Sequence, residues 1–192
     1  MRSQLPHQTA MNLRQPYWKN RGPSSDWMRK GIIVISTCTI GLISSPFAGL
    51  AQITLDETTK QTMIAAINDE YRARALYQAV IQKFGAVPPF RNIVQSEDNH
   101  IQLWKFLFSK YGVPIPPDSF TENLSVPDTL KAACQAGVEA EIANIEMYNN
   151  FLNFMTQPDL RAAFIQLRQI SQEKHLRAFQ RCQNQGNRYN RN

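Results

Sequence analysis

Residues 90–111 read FRNIVQSEDNHIQLWKFLFSKY, and this stretch carries the pattern that decides the fold. Its apolar residues recur at helical spacing and form one stripe: Phe90, Ile93, Val94, Ile101, Trp104, Phe108 and Tyr111. Such a stripe is the core-facing side of an amphipathic helix. Two ligand-type residues, Glu97 and His100, lie on the same stripe. The stretch therefore predicts a bundle helix that turns a carboxylate and an imidazole towards the core.

Three further segments are amphipathic and long enough to be bundle helices. The first opens with Thr54-Leu55-Asp56-Glu57, a capping-box pattern, and ends at Gly85, a typical residue after a helix. The third extends from about 128 to 155, and the fourth from Pro158 to about Cys182. Because no segment shows the period-two alternation of a strand, the sequence predicts an all-α domain.

The connections between these segments predict the order of the helices in space. Short links join helix 1 to helix 2 and helix 3 to helix 4, so each pair forms an antiparallel hairpin. The link between helices 2 and 3 has about sixteen residues and four prolines, and it could reach about 50 Å when extended. A long crossover between two hairpins is the connection of a ferritin-like four-helix bundle.

Residues 1–51 have the features of an extended leader with a secretory signal peptide. Arg29 and Lys30 precede an apolar core at 31–44, and small residues follow up to Ala51. The apolar core is short for a bilayer span, although an uncleaved N-terminal anchor is the alternative. We therefore expect an exported protein, periplasmic or secreted, with the bundle at 52–182 and a disordered polar tail at 183–192.

The net charge of +6 belongs mostly to this leader. Residues 1–51 hold six Lys and Arg against one acidic residue, whereas residues 52–192 hold fifteen against fourteen. The bundle is thus nearly neutral and lacks the basic surface that nucleic-acid binding requires. The sequence predicts no nucleic-acid partner, and no membrane contact beyond the signal peptide or anchor.

Ligand-type side chains occur on the core-facing stripe of every predicted helix: Glu70, Glu97, His100, Glu141 and His175. Isolated buried carboxylates are costly, so they need cations or protons nearby. Glu97 and His100 are three residues apart, as in the Glu-x-x-His element of dimetal carboxylate bundles. Glu70 could instead pair with Arg74 one turn later, and a buried histidine can simply be hydrogen-bonded. The convergence of five such groups favours metal ions as partners.

Four stretches resemble an exported ferritin-like family, domain of unknown function 2202. They are DEYRAR at 69–74, NIVQSEDNH at 92–100, AGVEAE at 136–141 and HLRAF at 175–179. The resemblance covers nearly all of residues 55–182, and it implies a ferritin-like bundle with a metal site. It implies no substrate.

Two features depart from the full dimetal pattern. Helix 4 has Gln172 where a second Glu-x-x-His would have its Glu, and Glu173 lies about 200° around the helix from His175. Three inward carboxylates then favour one or two ions of iron or manganese, with Arg74, Asn144 and Gln172 as outer hydrogen-bond partners. The second departure is axial, because helix lengths place Glu70 and Glu97 about 10 Å apart in height.

The two cysteines of the bundle are spaced for a disulfide. Cys134 lies seven residues before Glu141, and Cys182 lies seven residues after His175. Two helical turns separate each cysteine from its ligand, and both cysteines are displaced towards the same end of an antiparallel hairpin. If Glu141 and His175 face each other, the cysteines do too; two free buried thiols are the alternative.

Two functions are compatible with these sequence features. The first is a redox centre of iron or manganese that reacts with oxygen or peroxide, where Tyr77, Trp104 and Tyr148 are either radical carriers or ordinary core residues. The second is a non-catalytic exported bundle that binds a metal or a partner, which the missing carboxylate at Gln172 favours.

Overall fold

The computed structural model describes residues 54–120 and 124–189, and these residues form a helical bundle. Its elements are α1 (Glu57–Phe84), α2 (Phe90–Lys110), α3 (Leu130–Leu152), α4 (Pro158–Ile170), a π-helical turn (Ser171–His175) and α5 (Leu176–Tyr189). No strand occurs among the described residues, which confirms the predicted all-α class. The predicted leader at 1–51 lies outside them. None of the helices described is both long and apolar enough to span a membrane.

The ends of α1 show where the capping prediction was wrong and where it was right. Asp56, not Thr54, caps the helix: its backbone is extended and its carboxylate accepts the Thr59 N–H at 2.9 Å. An aspartate directly before the first turn satisfies an otherwise free N–H and complements the helix dipole. Gly85 ends the helix as predicted, with a φ of 86° that favours glycine.

The fourth predicted helix differs most from expectation. Its ladder is interrupted by the π turn, where the Leu176 N–H donates to the Ser171 carbonyl five residues earlier. The helix then continues to Tyr189, within the stretch 183–192 for which the sequence predicts a disordered polar tail. Residues 183–189 contain no proline, the residue that interrupts a helix most strongly.

The crossover between α2 and α3 follows α1 over most of its length. Val113, at its start, packs in an apolar cluster with the first turns of α1. Asp118 then forms an ion pair with Arg74, and the Lys83 ammonium donates to the Pro127 carbonyl at 3.0 Å near the end of α1. The described residues of the crossover therefore contact α1 near both of its ends.

The core consists of two apolar clusters with a polar layer between them. The aromatic cluster contains Trp104, Phe108 and Phe164. The cysteine cluster, at the other end, contains Phe90 and Phe179 together with both cysteines. The layer between them holds the five predicted ligands.

The cysteine cluster is where α3 and α5 are joined. Cys134 and Cys182 form a disulfide across 48 residues of chain, with Cα atoms 5.8 Å apart, which confirms the predicted pairing. Gly137 lets the helices approach closely, because a Cβ on it would lie 2.5 Å from the Phe179 ring. The disulfide and this contact hold α5 in register, and thereby fix the position of His175 directly before it.

Candidate metal centre

The structure brings all five predicted ligands together at the middle of the bundle. α1 supplies Glu70, α2 supplies Glu97 and His100, α3 supplies Glu141, and the π turn supplies His175. All five are buried, with 2–3% exposure. The axial mismatch expected between Glu70 and Glu97 does not separate them, because both reach the same imidazole. The buried Glu/His cluster can hold a metal ion.

The first triad consists of Glu70, Glu97 and His100. His100 Nδ1 lies 3.1 Å from Glu70 Oε2 and 2.8 Å from Glu97 Oε2. One donor atom of each residue lies within 4.8 Å of the others. Two carboxylate oxygens and one imidazole nitrogen at such distances can converge on a single cation.

The second triad consists of Glu97, Glu141 and His175. His175 Nδ1 lies 3.1 Å from Glu97 Oε1 and 3.6 Å from Glu141 Oε2. Glu97 therefore belongs to both triads, and it offers a different oxygen to each. A carboxylate shared in this way can bridge two ions.

His175 Nδ1 is the atom whose environment is least satisfied in this layer. It is buried, and within the described part of the chain it makes no well-directed hydrogen bond, although two carboxylates lie near it. A buried polar atom without a partner is costly. A metal ion held among these carboxylate oxygens would satisfy this nitrogen once it has lost its proton.

Two buried tyrosines orient the terminal carboxylates. The Tyr148 hydroxyl donates to Glu70 Oε1, and the Tyr77 hydroxyl donates to Glu141 Oε1 at 2.9 Å. In both glutamates the other oxygen, Oε2, faces the histidine. Burial and the adjacent carboxylates raise the pKa of both phenols well above 10, so they stay neutral donors at pH 7. These tyrosines therefore leave each terminal glutamate one oxygen for a metal.

The acid–base balance of the layer depends on its histidines. Burial lowers the pKa of His100, but Glu70 and Glu97 outweigh burial and raise that pKa to about 10. Burial also lowers the pKa of His175, but Glu141 and Glu97 outweigh burial and raise that pKa to about 9. The pKa of Glu70 is raised by burial; burial also raises the pKa of Glu97, but the close contacts with His100 and His175 outweigh it and hold that pKa below its usual value. Without metal, protons on the imidazoles offset the carboxylates.

Ser96 is a site residue that the sequence analysis quoted but did not assign. Its hydroxyl oxygen lies 3.2 Å from His100 Nε2 and 3.0 Å from His175 Nε2. One side chain thus contacts the outer nitrogens of both imidazoles. Its place four residues before His100 was the available signal, because i and i+4 positions share a helix face.

The three predicted outer partners differ in their outcome. Arg74 forms ion pairs with Asp98 and Asp118 and not with Glu70, so the i,i+4 pairing considered for Glu70 is absent from the described structure. Gln172 is exposed, and the expectation that it supports the site is wrong. The reason is the π turn, which turns the preceding residue, not Gln172, into the bundle.

Asn144 joins a polar chain beside the ligands. It donates to Asp69 Oδ2 at 2.8 Å and accepts from the Ser171 hydroxyl at 2.9 Å. Asp69, whose pKa burial raises to about 6, was not predicted as a site residue. Its position directly before Glu70 was the only signal in the sequence. Asn144 therefore supports the layer through neighbours of the ligands.

The two hairpins carry the same residues at matching places. The corresponding pairs are Glu70 and Glu141, Tyr77 and Tyr148, Ser96 and Ser171, and His100 and His175. Each glutamate lies seven residues before a tyrosine, and that tyrosine contacts the glutamate of the other hairpin. The correspondence fails at Glu97, whose counterpart is the exposed Gln172.

Comparison with known proteins supports the fold and names no activity. No family model matches the chain, and no curated protein matches it. A similar solved structure is the crystal structure of a hypothetical protein from Methanococcus jannaschii DSM 2661, with a TM-score of 0.61 and 25% sequence identity. The match covers 80% of this chain and 89% of that one. The chain is therefore similar in fold to that protein.

Proposed function

We propose that this chain is a ferritin-like metalloprotein whose two triads hold a pair of iron or manganese ions bridged by Glu97. The observation that carries the proposal is the buried His175 Nδ1, which lies among carboxylate oxygens without a well-directed hydrogen bond. A structural polar network would satisfy that atom, because leaving it unpaired is costly. A metal ion satisfies it and the carboxylates together.

The donor set decides the class of metal. Each triad offers two carboxylate oxygens and one imidazole nitrogen, a mixture that suits iron and manganese. Zinc in structural sites instead favours four ligands rich in cysteine and histidine, and both cysteines of the bundle are paired with each other. Three carboxylates offset three of the four charges of two divalent ions, so an additional small anion completes the balance.

The residues around the donors determine what such a centre can do. Tyr77 and Tyr148 fix the terminal carboxylates, and the apolar clusters on both sides keep bulk water from the layer. A bound pair of iron or manganese ions would supply one electron each, which matches the two-electron, two-proton reduction of peroxide to water. Two electrons and two protons likewise reduce oxygen to peroxide, so we propose peroxide or oxygen as the reactant.

The proposed compartment is outside the cytoplasm. Its support is the basic start and apolar core of residues 29–44 and the pairing of Cys134 with Cys182. Disulfides persist in oxidising compartments. The resemblance to domain of unknown function 2202 points to the same assignment and stays a prediction.

A non-catalytic metal-binding bundle is the second candidate. The observation that favours it is the exposure of Gln172, which leaves Glu97 as the single carboxylate shared by the two triads. With one bridge, the two ions are held less rigidly than with two. Such a protein would bind the metal for storage or for stability.

Elemental analysis of the exported full-length chain tests the proposal. We expect about two ions of iron or manganese per chain, and their loss from a Glu97→Ala/His100→Ala double variant. Glu173→Gln is the matched control, because Glu173 is exposed and near His175 in sequence. Peroxide consumption by the loaded protein then separates the candidates. A wild-type chain that stays free of metal after anaerobic reconstitution with Fe(II) or Mn(II) would contradict both.

A further inference from the structure

We propose that Ser96 is a positioning residue that fixes both histidines so that Nδ1 of each ring faces a metal position. The inference rests on the proposed metal site and extends it to a residue outside the five ligands. It starts from one oxygen atom that contacts two rings: Ser96 Oγ lies 3.2 Å from His100 Nε2 and 3.0 Å from His175 Nε2.

The arrangement of the rings makes this double contact possible. The imidazoles of His100 and His175 are stacked, with centroids 5.5 Å apart and planes inclined by 23°. Their Nε2 atoms consequently point to the same side, towards α2 at Ser96, and their Nδ1 atoms point towards Glu97. A hydroxyl oxygen has two lone pairs, so Ser96 can accept an N–H from each ring.

These two hydrogen bonds determine which nitrogen is available to a metal. A neutral imidazole carries one N–H, and the hydrogen bond made by one nitrogen sets the role of the other. When both Nε2–H groups donate to Ser96, both Nδ1 atoms present lone pairs to the triads. Outer hydrogen bonds of this kind commonly orient the histidine ligands of metals.

The second hairpin shows that the motif alone is insufficient. Ser171 also lies four residues before a histidine, but its hydroxyl donates to Asn144 Oδ1 at 2.9 Å. No contact between Ser171 and either imidazole is found in the described structure. The chain therefore contains a matched pair of serines, of which Ser96 alone serves both rings.

Binding of Mn(II) to the full-length chain, measured by equilibrium dialysis, tests the proposal. We expect Ser96→Ala to weaken binding by about 10- to 100-fold, the usual effect of losing an outer partner of a metal ligand. Ser171→Ala should stay within about threefold of wild type, because that serine does not orient a ligand. Thermal unfolding of each variant establishes that the compared proteins are folded.

A second pair of variants isolates the hydroxyl from the shape of the side chain. Ser96→Thr keeps the hydroxyl and should bind Mn(II) more tightly than Ser96→Val, which has nearly the same shape. Nitrogen-15 spectra of the Zn(II)-loaded protein report the same property directly. Both rings should ligate through Nδ1 with a proton on Nε2 in wild type, and this uniform pattern should be lost in Ser96→Val.

The outcomes separate this inference from the proposed function. Wild-type binding together with equal Mn(II) affinities for the threonine and valine variants, and an unchanged histidine pattern, would overturn the role of Ser96 and leave the metal site standing. A wild-type chain that binds neither Mn(II) nor Zn(II) would overturn the metal site and, with it, this inference. Selective weakening in the valine and alanine variants supports both.

Discussion

The hairpin formed by α1 and α2 and the hairpin formed by α3, α4 and α5 present matching residue types to each other but contribute unequally. The first hairpin supplies Glu70, Glu97 and His100, and the second supplies Glu141 and His175. The first triad is contained within one hairpin, whereas the second triad requires both. The comparison shows that two nearly equivalent hairpins can build a candidate metal centre in which each of the two triads depends on a different part of the chain.

The difference arises at one turn of helix. In α2 a regular helical turn places Glu97 and His100 on one face, because residues three apart lie side by side. In the second hairpin the π turn carries Ser171 inward and leaves Gln172 exposed. π turns occur frequently at functional sites, where one wider turn re-aims a side chain. Backbone geometry and side-chain identity thus differ together at this point.

The shared carboxylate should give the largest effect. Glu97→Gln should abolish binding of both ions, whereas Glu70→Gln should weaken only the first position and Glu141→Gln only the second. Without metal, Glu97→Gln also leaves two imidazolium groups without their common partner, a loss worth about 3–5 kcal/mol for a buried pair. Metal titration of the three variants measures the stoichiometry of each.

If the three glutamine variants lost the same number of ions, the proposed difference between the two triads would be contradicted. That result would mean that Glu97 is not shared and that each glutamate serves a single position. Glu173→Gln, on the exposed side of the π turn, is the control and should retain wild-type stoichiometry.

The disulfide is a second difference between the two hairpins. The second hairpin has Cys134 and Cys182, while the corresponding places of the first hold Met63 and Leu107, both buried in the aromatic cluster. Replacing both cysteines by alanine should lower the free energy of unfolding by about 4 kcal/mol, from the entropy of a closed loop of this length. Urea unfolding of the metal-free protein measures it. The matched wild-type sample, reduced before unfolding, should lose a similar amount if the effect comes from the cross-link.

A smaller effect should follow from the close contact of α3 with α5. Gly137 lies four residues before Glu141, and Ala66 occupies the same place before Glu70. Gly137→Ala should cost about 1–3 kcal/mol of stability, because the new methyl group would overlap the Phe179 ring. Thermal or urea unfolding gives the value, and an unchanged or higher stability would show that the ring can move aside.

Metal affinity should change continuously with pH, unlike the stepwise effects of the substitutions above. His100 and His175, whose pKa values are raised to about 10 and about 9, must lose their Nδ1 protons to bind metal. Affinity should therefore rise as the pH increases from 7 towards 9, by up to about tenfold per unit for each proton released. Zn(II) titration in weakly buffered solution, with the released protons counted, measures this. Binding that releases no protons would contradict the raised pKa values.

The stability of the metal-free protein should change in the opposite direction. A histidine whose pKa is raised on folding contributes stability that is complete below its unfolded pKa, near 6.5, and is lost as the pH rises through the folded value. The metal-free chain should accordingly become less stable between about pH 7 and pH 10. Metal should reverse this trend, because it replaces the protons as the partner of the carboxylates.

The ligands could be predicted because their positions follow simple helix periodicity. Glu70, Glu97 and Glu141 lie on otherwise apolar stripes, and burial of those stripes places them inside. The same periodicity failed at Gln172, because an i,i+3 rule presumes a regular α-helix. The structure shows the interruption as a buried series at intervals of four: Leu167, Ser171, His175 and Phe179. A straight helix would carry such a series off the core face.

Two residues near the ligands that were not predicted, Ser96 and Asp69, had weaker sequence signals than the ligands themselves. Ser96 is only half-buried, and its contact with His175 joins residues 79 positions apart, which local spacing does not reveal. Asp69 lies beside a ligand but meets Asn144 on another helix. Polar composition alone also does not distinguish a solvated helix from a disordered tail at the end of α5. Contacts between helices that are far apart in the sequence depend on tertiary structure, and so does the conformation of a polar chain end.

The confinement of the first triad to one hairpin has a consequence for the order of assembly. A ribosome completes Glu70, Glu97 and His100 before it reaches α3. A half-made bundle therefore already contains every donor of one position, while the other position waits for His175, 75 residues later than His100. An ion captured early would be held by α1 and α2 as a nucleus, onto which the remaining helices close to create the second position.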